Sequence, residues 1–382
     1  MKFLYVSPEH ISGTLTTTRD VHTAIGDECR FLTMVSNQFG FLEDIALDLP
    51  MSPTGGIYAA LKELRRKLLR KPLDPEKPTP PGHPPVWQPD DFATGLIMKF
   101  REVVWTPYIN KARKKYNLDN FDVYQFEMGM EFYRDARWVK ELANRSKGII
   151  AFYHGTDIRN RGVIKQVDDI CALRLTSELD LLQLHPQLKY LFLPFDSSKI
   201  EQVRSDDKPT VFRIGHAARN RRLKGTEAVI RAIETLQRKG VPVELVLIEN
   251  KSHEEAMRLK ATCHIAVDQL TDLGGWGYGM SSLEFLAMGI PVITKMRKEY
   301  CDFLPDHPFE NADDNSVEAA IERLVFDVVL RKQRSEQGIA FVKKYHDARV
   351  VMRQYYDYLL VEHIASKMPT ALEDVAAPPV RL

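Results

Sequence analysis

Residues 274–294, GGWGYGMSSLEFLAMGIPVIT, constrain the fold more than any other stretch of the chain. Gly274, Gly275, Gly277 and Gly279 open it, and the short run SSLEFLAM that follows is helical in character. Gly289 stops that helix, Pro291 forbids its continuation, and PVIT has the β-branched makeup of a strand. Loop, helix and strand in so few residues are the repeating step of an α/β sheet rather than of a helical bundle or a sandwich. Glycine also lets backbone approach a ligand closely, and a helix start offers unpaired N–H groups with partial positive charge. The stretch therefore suits a phosphate or diphosphate. Glu284 is expected in the first turn of this helix, where two roles are open to it. It either contacts whatever the loop holds or closes a capping box, Ser281-x-x-Glu284.

With 382 residues the chain has room for two substantial domains, and its 44% hydrophobic and 27% charged makeup is that of a globular protein. The net charge of +1 means that attraction to anionic partners must come from local patches. Cys29, Cys171, Cys263 and Cys301 are scattered, with no pair at metal-ligand spacing, which suits a cytoplasmic protein with free thiols. The start MKFLYVSP is too short for a signal-peptide core. No apolar run approaches the ~20 residues of a membrane-spanning helix.

KFLYV (2–6) passes through a loop containing Gly13 into a helix, the usual beginning of an α/β nucleotide-binding domain. Taken by themselves, His10, Ser12 and Thr14 in that loop close a turn. CRFLTMV (29–35) is a second strand. Residues 57–71 then form an amphipathic basic helix, with Lys62, Arg65, Arg66, Lys67, Arg70 and Lys71 on its polar side. Such a face is either solvated or rests on an anionic membrane surface. Prolines at 72, 75, 78, 80, 81, 84, 85 and 89 exclude regular structure after it, and a second basic helix spans about 95–116. The segment 51–117 reads as an insertion. Strands return at 121–127, 148–153, 171–177 and 189–196, with a helix around 131–146. Glu127, His154, Gly155 and Asp157 fall at strand ends, where open α/β sheets hold ligands. For His154 the alternative is a loop histidine fixed by a local hydrogen bond. The polar stretch 197–209 is a linker, and a second α/β series begins at TVFRIGH. Strands follow at 241–249 and 265–270, helix over 316–345, a last long helix and a disordered tail.

The run G-x-G-x-x-x-L-E-x-x-A-x-G-x-P-V-I (277–293) resembles the nucleotide-sugar signature of GT-B glycosyltransferases, particularly glycosyltransferase family 4. The resemblance implies two Rossmann-like domains facing across a cleft: residues 1–196 on the acceptor side and 210–345 on the nucleotide-sugar side. It also implies a helix, 346–365, crossing back to the first domain before the tail 366–382. Gly275, Trp276, Gly277, Tyr278, Gly279, Met280 and Ser281 would line the donor, and Glu284 would bond its ribose. The same likeness makes Arg219 and Lys224 the diphosphate-neutralising cations and turns His154, with Asp157 beside it, toward the donor sugar. Gly13, Thr14 and Glu127 would stand on the acceptor side, where His10, Ser12 and Thr14 would border the cleft rather than merely close a turn. Two positions depart from the pattern. Trp276 replaces the signature's first glutamate, and Glu249-Asn250 replaces a glycine-rich turn near the base.

The resemblance implies metal-independent transfer of a sugar from a nucleotide-diphosphate sugar to a glycan or lipid-linked acceptor, with retention, in polysaccharide biosynthesis. No D-x-D occurs, no further cofactor is implied, and no nucleic-acid motif is present. The absence of G-x-G-x-x-G after the first strand argues against a dehydrogenase. Two rivals keep the fold: a catalytically degenerate nucleotide- or glycan-binding module, and a nucleotide-sugar epimerase.

Overall fold

Twelve strands, all paired in parallel, build two sheets in the computed structural model, which describes residues 1–51, 82–89, 91–155, 157–203 and 209–379. The first sheet comprises β1 (Lys2–Ser7), β2 (Glu28–Thr33), β3 (Ile45–Ala46), β4 (Val123–Glu127), β5 (Gly148–Tyr153), β6 (Leu173–Thr176) and β7 (Leu188–Tyr190). Its order is β3-β2-β1-β4-β5-β6-β7. The second comprises β8 (Phe212–Ala217), β9 (Val243–Ile248), β10 (Ile265–Val267), β11 (Val292–Thr294) and β12 (Glu310–Asn311), ordered β12-β11-β10-β8-β9. Strands such as VYQFE and GIIAFY are buried along nearly their whole length, as parallel strands covered on both faces must be.

The chain divides into two units. Unit 1 holds 1–37, 41–191 and 355–374; unit 2 holds 38–40, 192–354 and 375–382. In unit 1 the fully buried Trp138 packs on Tyr124, Phe126 and Phe132, and its indole N–H donates to Asp119. Tyr356, also in unit 1, donates its hydroxyl to Asp27. In unit 2 the Thr226–Arg238 helix lays Val229, Ile233 and Leu236 against Ile214, Val243 and Val267 of the sheet. Among the described residues no helix is long and apolar enough to cross a membrane.

Each sheet reverses its strand order once. In unit 1 the chain builds outward from β1 to β3 and then restarts on β1's other side with β4. Unit 2 does the same around β8, with β9 on one side and β10 on the other. Open α/β sheets hold their ligands at such a point, by the strands' C-terminal ends.

Several expectations need correction. The helix expected over 131–146 is only Arg137–Ala143, because Ala136 enters it in a left-handed conformation. The strand expected over 189–196 ends at Tyr190. The helix over 316–345 breaks at Asp327, whose carboxylate caps a new helix, Val328–Phe341. The tail is not structureless: Thr370–Glu373 makes a helical turn that buries Leu372. The segment 51–117 is not wholly an insertion either. Its helix Phe92–Tyr116 places Trp105, Ile109 and Ala112 in the unit 1 core, as part of the crossover that a parallel β3-to-β4 connection requires. The basic helix expected over 57–71 lies outside the described residues.

Gly215, in the middle of β8, leaves the room that the Met280–Ala287 helix needs. A Cβ there would stand 2.8 Å from the Cys263 sulfur and 3.0 Å from the Phe285 ring. Gly215→Ala should therefore cost about 1–3 kcal/mol by overpacking. Urea denaturation checks this; an unchanged midpoint would mean that the helix is not seated tightly on β8.

Candidate functional site

Unit 2's crevice is bordered by the loop after β8, which carries Arg219 and Lys224, and by the loop after β10, which begins at Asp268 and runs into the glycines. The two loops are laced together. Leu270 N–H donates to the Lys224 carbonyl at 3.2 Å, and the Thr271 hydroxyl to the Leu223 carbonyl at 2.6 Å. Beneath them His216 bridges β8, β10 and the next helix. Its Nδ1 lies 2.8 Å from the Val267 carbonyl, which can only accept, so Nδ1 carries the proton. Nε2 then accepts from the Thr226 hydroxyl at 2.8 Å. Burial lowers the pKa of His216, in keeping with a neutral ring.

Lys224 Nζ lies 2.5 Å from Asp268 Oδ1, and Oδ2 accepts from the Ser282 hydroxyl at 2.6 Å. Asp268 has 0% of its side chain exposed, against 22% for Lys224, so the lysine is the member a ligand can reach. Burial alone would raise the Asp268 carboxyl; the Lys224 charge and the two hydrogen bonds outweigh it and hold it below its ordinary value. Ser282 stands in the first turn of the Met280–Ala287 helix, whose N-cap, Gly279, is extended and supplies no side-chain cap. The first N–H groups of that helix thus lie one carboxylate away from a fixed ammonium. A diphosphate placed here would meet helix amides and an ammonium already matched by its own carboxylate.

The glycine loop is braced from below by Gln269, whose amide donates to the carbonyls of Thr271 and Gly275, each at 2.8 Å. Gly275 has φ +125, where a side chain would be strained, and a Cβ on Gly277 would stand 2.7 Å from the Tyr300 ring. Tyr278 turns inward, packing tilted or edge-on among Tyr300, Phe309 and Phe341, with its hydroxyl 2.8 Å from His346 Nε2. Only its backbone is left to line a ligand. Trp276 is half-buried, and the Arg297 guanidinium lies 4.5 Å from its ring centre. Arg219 is exposed and lies over Phe39, 4.7 Å from the ring centre, so it is not brought to Lys224's position beside Asp268.

Glu284 is the fifth residue of its helix, in the second turn rather than the first, and the capping box is absent. Its carboxylate instead pairs with the buried Lys260 through Oε2 and with His253 Nε2 through Oε1 at 3.0 Å. Lys260 also donates to the Ser281 hydroxyl at 2.9 Å. Burial works to raise Glu284, but Lys260 and His253 outweigh it and keep the carboxyl below its ordinary value. Each oxygen retains a lone pair for a further hydroxyl.

In unit 1, β4 ends at Glu127, β5 is followed by His154 and β6 by Glu178. His154 Nε2 pairs with Glu127, whose other oxygen accepts from the Gln125 amide at 2.7 Å. His154 keeps 31% of its side chain exposed, against 8% for Glu127, so the histidine is the accessible partner. Burial would lower His154; Glu127 outweighs it and leaves the ring above its ordinary 6.5. Asp157 opens a single π-helical turn, Asp157–Arg161, and accepts from the backbone N–H of His154 (2.8 Å) and Ile158 (2.7 Å). It shapes the loop that presents His154. Burial, opposed by Arg159 and reinforced by Asp180, pushes Glu178 up to about 7. Gly13 adopts a left-handed conformation just before the helix that Thr14 begins, while His10 is buried between the rings of Phe31 and Phe41.

Asp268, Lys260, His253 and Glu178 were missed in the sequence. Asp268 and Glu178 do sit at strand ends, a positional signal. Lys260 and His253 reach Glu284 from 24 and 31 residues away, and no local pattern announces that.

No protein-family profile matches the sequence, and no curated protein sequence matches it. Solved structures do share the fold. One is an alpha-glucosyltransferase in complex with UDP and DNA, at 12% identity and a TM-score of 0.57, covering 94% of this chain and 99% of that one. Another is HepE of Anabaena in complex with UDP-glucose, at 13% identity and 0.56, covering 94% and 100%. A UDP-N-acetylglucosamine 2-epimerase matches at 10% identity and 0.54, covering 96% and 98%. The chain thus has the α/β architecture of GT-B glycosyltransferases, resembling them in structure at low sequence identity.

Two outcomes follow from this geometry. Glu284→Gln should lower stability by about 3–5 kcal/mol, because it strands the Lys260 ammonium without its carboxylate; Glu284→Gln with Lys260→Met should regain most of it in thermal melts. The second concerns pH. A histidine raised by its partner adds stability that is full below its unfolded pKa and is lost as pH rises through the folded one. The melting-temperature advantage of wild type over His154→Gln should be largest below the ordinary histidine value of about 6.5 and shrink as pH rises through the raised one. A pH-independent gap would show that Glu127 and His154 do not form an ion pair.

Proposed function

We propose that this protein transfers a sugar from a nucleotide-diphosphate sugar, held by unit 2, to an acceptor hydroxyl of a glycan or lipid-linked saccharide. The observation that carries the reading is the switch point of unit 2, where Lys224 is held against buried Asp268 beside the open N-terminus of the glycine-loop helix. UDP or UDP-glucose in structures of the same fold supports it.

In the reaction the bond from the anomeric carbon to the diphosphate breaks, and its electron pair stays on the phosphate oxygen. The acceptor oxygen bonds that carbon and gives its proton to the departing diphosphate oxygen. The hard part is the growing negative charge on the departing diphosphate, which Lys224 and the helix amides stabilise without having to reorganise. Glu284, kept ionised by Lys260 and His253, accepts from the ribose hydroxyls. In unit 1 the Glu127–His154 pair offers a hydroxyl both a donor and an acceptor. Retention at the anomeric carbon follows the resembled family.

Trp276 favours a second reading, a nucleotide-binding protein without turnover. The resembled signature has a glutamate at that position, and here an indole lies under Arg297. Incubating the protein with nucleotide sugars separates the two. Transfer or slow hydrolysis supports the enzyme, turnover to an epimer supports the epimerase alternative, and tight diphosphate binding with no turnover of any donor supports the binding protein.

Binding itself is tested by charge. Lys224→Met should weaken nucleoside-diphosphate binding about ten- to a hundredfold, the loss of one charge-assisted hydrogen bond. It should also destabilise unit 2, since Asp268 loses its cation. Lys224→Met with Asp268→Asn should restore the melting temperature but not the affinity. Restoration of both by the double variant would remove Lys224 from the diphosphate site.

A further inference from the structure

Phe92–Tyr116 is a 25-residue helix with two apolar faces. One carries Trp105, Ile109 and Ala112 into the unit 1 core. At about 100° per residue, Phe92, Leu96, Phe100 and Val103 fall together on the opposite face, and they are 81%, 51%, 60% and 70% exposed. Ile97 and Tyr108, also exposed, widen the stripe on one side. A solvated helix face would carry charged and polar residues there. Scattered exposed apolar residues need no explanation, but a contiguous aromatic and aliphatic stripe over three turns does.

The charges around the stripe have one sign. Lys99, Lys111, Lys114 and Lys115 are all exposed, whereas Glu102, the helix's only acidic residue, is buried and accepts from the Arg134 backbone N–H at 2.8 Å. An apolar face rimmed by lysines fits an anionic lipid surface, with the rings entering the acyl boundary and the ammonium groups meeting the headgroups. A second copy of the chain fits it badly, because a self-complementary contact would set lysine against lysine. The segment 52–81 fits badly for the same reason: it carries Lys62, Arg65, Arg66, Lys67, Arg70, Lys71 and Lys77 against three acidic residues, Glu63, Asp74 and Glu76.

We propose that the exposed face of the Phe92–Tyr116 helix docks the protein on an anionic membrane surface. The proposal is independent of the transfer reading, although a lipid-linked acceptor would be met there.

The experiment is co-sedimentation of the full-length protein with vesicles of phosphatidylcholine alone and of phosphatidylcholine with phosphatidylglycerol. Wild type should bind the anionic vesicles about tenfold or more over the neutral ones and be released as salt rises. Phe100→Asp with Val103→Asp should abolish sedimentation at an unchanged melting temperature, since both side chains are exposed. Lys99→Glu with Lys111→Glu and Lys114→Glu should do the same. Recovery of either variant at the wild-type level overturns the proposal, as does failure of wild type to bind. Binding lost only when Arg65, Arg66 and Arg70 are changed overturns it in favour of that segment. A lipid-free dimer broken by Phe100→Asp overturns it in favour of a second copy.

Discussion

Asp268 is a carboxylate with no exposed side-chain surface, placed at the end of a central parallel strand, and unit 2's crevice is arranged around its needs. Leaving an ion in that position without partners would cost several kcal/mol, more than most single contacts contribute. Lys224 and Ser282 meet that need from opposite sides, one from the loop after β8 and one from the helix after the glycine loop. Because both partners must be in place, the basic loop and the helix start are held in a fixed relation. The other lacings, Leu270 to Lys224 and Thr271 to Leu223, reinforce the same registration. A ligand approaching this point would meet groups that are already held in place.

Unit 1 treats its strand-end acids differently. Glu127 is matched to a histidine rather than a lysine, and that ring is raised above its ordinary value by the pairing. Asp157 is satisfied by two backbone N–H groups and is spent on loop shape. The π-helical turn it opens is the kind of irregularity that costs regular hydrogen bonding and recurs where a loop must present a side chain. The side chain presented is His154. Unit 2 therefore sets a lysine against its strand-end acid, while unit 1 sets a histidine there.

The α/β class was legible because strands buried on both faces read as nearly continuous apolar runs, as GIIAFY does and VYQFE does but for Gln125 and Glu127. The glycine loop and its helix were legible because Gly289 and Pro291 punctuate the end of the helix. Strand order was not, since pairing is decided by contacts far apart in sequence; the two switch points, and with them Asp268's importance, emerge only from topology. Helix ends went astray where local pattern and tertiary need diverged. Residues 131–136 carry helix-compatible side chains, yet Glu131 is buried and accepts from the Trp138 backbone N–H, and Ala136 turns left-handed to allow it. Glu284 misled for a similar reason. Ser-x-x-Glu is a capping signal only if the serine is the N-cap, and here Gly279 holds that place.

The pairing of Lys224 with Asp268 bears on how a diphosphate could be bound and released. A free lysine at a crevice attracts anions over a longer range, but it must give up rotamer freedom when it binds. Lys224 has given that up beforehand, and its charge is largely matched by Asp268, so its attraction acts at contact rather than at a distance. Net attraction in the resting site then falls to the helix N-terminus, whose partial charge is modest and fades within a turn. Such a site binds a dianion less tightly than two free cations would. It would gain as negative charge develops within contact of the ammonium, which is held in place beforehand. That is the balance a transfer reaction requires: moderate hold on the ground state and a stronger one on the leaving diphosphate.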